Sequence, residues 1–139
     1  YLAESGAILF YFAQNTAFLP DDPLARAEML QWMFFEQYEH EPNIAVARHW
    51  LAHGAISTEQ QQQLADKQAR GVAALTRMEG HLGGRQWFVG GHCSIADIAL
   101  YAHTHVAAEG GFELAPFRHV NAWLERMAGE PGHIPITQA

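Results

Sequence analysis

Three groups of side chains in this 139-residue sequence have types and spacings that could do chemistry. Glu4 and Ser5 stand directly before the apolar stretch "GAILFYF", so a carboxylate and a hydroxyl meet at a helix start, where backbone amides lack partners and the helix dipole is positive. Ser5 could cap that helix with its own oxygen. Ser94 and Asp97 have the i, i+3 spacing of a capping box, which assigns them to folding rather than to catalysis. Phe34, Tyr38, His40 and Glu41 crowd the end of a second apolar segment, and Phe34, Tyr38 and Glu41 follow at spacings of four and three that share one helical face.

The other reactive residue types read as structural. Among nine histidines, His49 and His53 have the i, i+4 spacing of a metal-binding helix face. No Glu adjoins His49 and no third ligand is evident, so no metal site is expected. His103 and His105 are two apart and point to different sides of a helix. The single cysteine, Cys93, cannot form an internal disulfide. It lies just before the Ser94 cap, with Ile98 after it, where a hydrophobic staple would pack.

Composition narrows the classes of function. A formal charge of −7, with only eight Lys and Arg residues scattered along the chain, gives no footprint for a nucleic-acid backbone. No apolar run reaches the roughly 20 residues of a membrane span, and no signal peptide is evident, so a cytoplasmic protein is expected. The length suits one domain. The chain starts on Tyr1 without an initiator methionine and is expected to be the later part of a longer protein.

These residues must be positioned by helices. Apolar residues at helical spacing run from Glu4 to Gln14, and "NTAFLPDDP" reads as a linker. Asp22 followed by Pro23 starts a long helix. Seven of the ten residues in its "MLQWMFFEQY" stretch are apolar, too wide a face for one core contact, so Trp32, Met33, Phe34 and Phe35 together imply a partner surface. Pro42 predicts a kink or short break, followed by helix to about His53. Ser57 or Thr58 caps the next helix, whose face is Leu64, Gln68, Gly71, Leu75, Met78 and Leu82 and which Gly83 and Gly84 end. "GGHCSIADIALYAHTHVAA" predicts a central core helix ending at Gly110-Gly111. A last helix begins near Pro116 with Phe117, Val120, Leu124 and Met127 on one face. No strand is evident, so the fold class is all-α, a bundle of five or six helices.

The segments "ESGAILFYFAQ", "FLPDDPLARAEMLQWM", "GGHCSIADIALYA" and "FRHVNAWLERM", in that order, resemble the C-terminal two-thirds of a cytosolic glutathione transferase of bacterial type. The resemblance implies that residues 1–15 are the last helix of a thioredoxin-like domain, 16–21 a linker, and 22–139 the helical C-terminal domain. It implies that Glu4 and Ser5 hold the γ-glutamyl end of glutathione. That is chemically apt, since first-turn amides suit the ligand's carboxylate and Glu4 suits its ammonium. It further implies that Phe34, Tyr38, His40 and Glu41 line the pocket for the second, hydrophobic substrate. The group that stabilises the glutathione thiolate belongs to the β-α-β portion that this chain lacks, so the catalytic residue is unassigned.

The function implied is conjugation of glutathione thiolate to hydrophobic electrophiles, a detoxification chemistry, with this chain inactive by itself. A non-catalytic binding or assembly module and a glutathione-dependent thiol-disulfide enzyme are the rival readings. The family's members usually pair through the helix after the linker and the one beginning near Ser57, which implies a homodimer.

Overall fold

The computed structural model describes residues 1–52 and 56–136. Among them it is all-helical: α1 (Ser5–Phe12), α2 (Pro23–Phe35), α3 (Glu41–Ala52), α4 (Thr58–Leu82), α5 (Ile95–Thr104) and α6 (Arg118–Ala128), with a π-helical turn at Glu36–His40 and a 3₁₀ turn at Ala107–Gly110. His53, one half of the His49–His53 pair, lies outside the described residues.

Local chemistry sets most of the helix starts. Asp22 accepts the Ala25 amide at 2.8 Å with Pro23 behind it, and Ser57 closes a reciprocal box with Gln60. The first helix departs from expectation. Its cap position is Glu4, not Ser5, and no side chain caps it. The Ser5 hydroxyl is therefore left out of the helix's own bonding.

The long helix breaks before Pro42 rather than at it. The Glu41 amide donates to the Glu36 carbonyl, an i→i+5 bond that inserts one extra residue into the turn. Proline offers no amide to the Tyr38 carbonyl, so a regular α-helical ladder would lose a bond here in any case. α5 also stops early, at Thr104. The 3₁₀ turn and Gly111, held at φ 80, complete the run to the expected end.

α5 is the axis of the bundle, touching α1, α2, α3 and α6 as well as the π turn. Met29, Ile44, Leu75, Met78, Leu100 and Trp123 are fully buried around it. Gly71 lets α4 approach closely, because a Cβ there would meet the Phe112 ring at 2.4 Å.

The wide apolar face of α2 is consumed inside the chain. Trp32 packs on Phe35, His81 and Phe88 with ring centroids 5.1, 4.5 and 4.7 Å away, and Trp32, Met33 and Phe35 are all buried. Phe34 alone of the four is exposed, so that stretch does not require a second protein surface. α5, α4 and the segment around Phe88 cover the helix on more than one side, which the sequence pattern could not show.

The capping box at Ser94 is larger than its motif. Asp97 Oδ2 accepts from the Ser94 amide and hydroxyl at 2.9 and 2.8 Å, and Oδ1 from the Phe88 amide and the Trp123 indole at 3.1 and 3.0 Å. Burial still raises the carboxyl above its ordinary range, although these four bonds pull the other way. The linker joins the same point, since the Ile95 amide donates to the Phe18 carbonyl at 3.0 Å.

Candidate functional site

α1 and the end of α2 form two walls of an open-sided, mostly apolar cleft of about 940 Å³, with α5 as its floor. Glu4 and Ser5 line it at the start of α1, and Phe34 and Tyr38 line it from α2 and the π turn. Glu4 has φ 67 and ψ 120, a sparsely populated conformation for a residue with a Cβ, costing on the order of 1–3 kcal/mol. This strained turn leads the chain into α1, whose first residues border the cleft. The exposed rings of Phe34 and Tyr38 offer an apolar wall opposite.

His40 and Glu41 are not in that wall. A continuous α-helix would align Glu41 with Phe34 and Tyr38, but the extra residue of the π turn rotates it off that face. His40 turns inward and is fully buried, with Nε2 2.9 Å from the Thr104 hydroxyl. That hydroxyl donates its proton to the Leu100 carbonyl at 2.7 Å, so it can only accept from His40. Nε2 therefore carries the hydrogen, and Nδ1 is a buried acceptor with no partner. Burial, assisted by nearby His103, pulls the His40 pKa down to about 3. His40 is a neutral core residue and does not line the cleft.

Glu36, in line with buried Met29, Trp32 and Met33 at helical spacing, lies at the inner end of the cleft instead. Glu36 Oε2 accepts from the Gln37 amide at 2.7 Å, while Oε1 faces His103 Nε2 on α5 at 3.9 Å, beyond hydrogen-bond distance. Burial raises the Glu36 carboxyl, with Glu41 adding to the effect and the Gln37 bond opposing it. Burial also lowers His103, more than neighbouring Glu41 restores. Both groups are thereby pushed toward their neutral forms, and the close approach is not a formed ion pair. The spacing of Phe34, Tyr38 and Glu41 gave no hint of this pair. The available signal was that Glu36 is the one charge within "MLQWMFFEQY".

His105 and Cys93 are occupied elsewhere. His105 bonds the Tyr101 carbonyl at 2.7 Å and stacks on the Tyr101 ring, away from His103 in the cleft. Cys93 is buried against Met127, 3.7 Å between sulfurs, and burial, with Asp97 and Glu130 nearby, pushes its thiol up to about 12. Among the described residues no three His, Cys, Asp or Glu side chains lie together as a metal set, and no helix is long and apolar enough to cross a membrane.

Comparison with known proteins agrees with this architecture. A glutathione S-transferase from Pseudomonas fluorescens is 46% identical and superposes with a TM-score of 0.94, over 98% of this chain and 68% of that one. A Pseudomonas putida glutathione transferase, solved with glutathione disulfide bound, is 27% identical with a TM-score of 0.82, over 94% of this chain and 59% of that one. The disulfide-bond oxidoreductase YfcG of Escherichia coli is 30% identical over 135 residues, 94% of this chain and 60% of that protein. The chain spans 60 to 65% of the length of the first curated relatives it matches. The family model described as the glutathione S-transferase C-terminal domain matches residues 24–131, and the chain belongs to that family.

Proposed function

We propose that the protein of which this chain is part binds glutathione at Glu4 and Ser5 and conjugates its thiolate to an apolar electrophile held against Phe34 and Tyr38. The observation that carries this reading is the shared cleft: a charged, amide-rich helix start and an aromatic wall border one space. Glutathione's charged γ-glutamyl end suits the first, through the helix dipole and the Glu4 carboxylate. An apolar second substrate suits the other. The bound ligand of the Pseudomonas putida relative supports the choice of glutathione. In this reading residues 1–15 close a thioredoxin-like domain, 16–21 link it to the helical domain 22–139, and the thiol-activating group comes from outside these residues. The protein would work in the cytoplasm, as a homodimer.

A second reading is favoured by the Escherichia coli relative's name: thiol-disulfide chemistry with glutathione in the same cleft. Cys93 is not its reactive thiol, being buried and held protonated. The full-length protein tested with 1-chloro-2,4-dinitrobenzene and with hydroxyethyl disulfide separates the two. Conjugation without disulfide reduction is the expected result. Reduction alone would establish the second reading, and glutathione binding with neither activity would make the protein a binding module.

A further inference from the structure

The inner end of the cleft contains a polar pair in a mostly apolar lining. Glu36 is a carboxyl with a side chain only 6% exposed, and no hydrogen bond to its Oε1 is found among the described residues. His103 Nε2 stands 3.9 Å away from across the cleft, on a different helix. That separation is too long for a direct bond, but one ligand oxygen about 2.8 Å from both atoms would subtend roughly 90° between them, a workable fork for a hydroxyl. The helical phase of α2 places Glu36, three residues beyond buried Met33, while Glu41, past the π turn, does not line the cleft. Leu30, Ile98, Ala99 and Ala102 line the cleft with apolar side chains, and the Gln37 side-chain amide is engaged by Glu36 Oε2.

We infer that Glu36 and His103 are a specificity-determining pair that selects, among apolar second substrates, aromatic compounds carrying a phenolic hydroxyl. A hydroxyl is both donor and acceptor, and the pair, sharing one proton between Glu36 Oε1 and His103 Nε2, presents one of each: the protonated member donates and the other accepts. A carbonyl or ether lacks the donor and leaves the pair's acceptor atom unpaired, which is the costlier outcome. The inference rests on the cleft being the second-substrate site.

Matched ligands test it. In fluorescence titrations of the full-length protein, 2-naphthol should bind about tenfold more tightly than 2-methoxynaphthalene, the equivalent of one hydrogen bond. Glu36→Leu and His103→Leu should each bring that ratio close to one, while the affinity for 2-methoxynaphthalene changes by no more than about twofold. The two variants alter different helices, so either one alone decides the matter if the other fails to fold. Equal binding of both ligands to the unmodified protein, or a ratio that survives both substitutions, overturns the inference and leaves the transferase reading intact. If neither ligand binds while glutathione does, the assignment of the cleft to the second substrate falls, and the inference with it.

Discussion

The Asp97 carboxylate accepts the Trp123 indole N–H at 3.0 Å, joining the first turn of α5 to the middle of α6. The same carboxylate holds the Phe88 and Ser94 amides, so one side chain fixes two helices and the connector between them.

Asp97→Ala should therefore cost more than a helix cap. It leaves the Phe88 amide, the Ser94 amide and the Trp123 indole without their buried partner, and the expected loss is about 3 kcal/mol or more in urea unfolding. Asp97 does not line the cleft, so the folded fraction should keep its affinity for glutathione. A stable variant that no longer binds would place Asp97 in the site.

Ser5 stands free of capping duty at the start of α1 and borders the cleft. Ser5→Ala in the full-length protein should weaken glutathione about tenfold by calorimetry, with little change in thermal stability. Unchanged affinity would sink the proposed glutathione site.

His40 makes stability depend on acid. An unfolded histidine takes up a proton near pH 6.5, whereas His40 in the fold resists until about 3, so between those values the unfolded state binds more protons. Stability then falls as pH falls, by up to about 1.4 kcal/mol per unit from this one group. Glu36, whose carboxyl is raised, acts in the opposite sense over its narrower range. His40→Leu isolates the histidine: the slope of unfolding free energy between pH 6.5 and 4 should be shallower than in the parent. Identical slopes would show that His40 is protonated in the fold.

Cys93 should resist thiol reagents. With a thiol held up to about 12 and 6% exposure, modification by Ellman's reagent at neutral pH should run roughly a thousandfold slower than for a free cysteine, and become fast only in denaturant. Rapid labelling of the native protein would contradict the burial.

The proposed homodimer draws on the family rather than on Trp32, Met33 and Phe35, which this chain buries itself. Leu24 on α2 and Val72 on α4 remain exposed apolar side chains on the two helices that the family resemblance assigns to pairing. Sedimentation of the full-length protein at micromolar concentration should show a dimer, and a monomer throughout that range would refute the proposal.

Sequence alone determined what is local. Asp22-Pro23, Ser57 with Gln60 and Ser94 with Asp97 announce helix starts, because a cap is decided by residues three apart. The apolar spacing of α4, from Leu64 to Leu82, announces its buried face for the same reason, and the all-helical class follows from such stretches. Tertiary structure decided the rest. Whether the chain near Pro42 kinks, breaks or takes a π turn depends on what packs against it, and with the π turn in place His40 is in the core and Glu41 is outside the cleft. Glu36 meets His103 only because α5 lies against the turn, and Trp32 is buried only because His81 and Phe88 come to it from distant segments. Periodicity reports that a face is apolar. Which neighbour covers it is settled by close packing between elements, where one inserted residue reverses inside and outside.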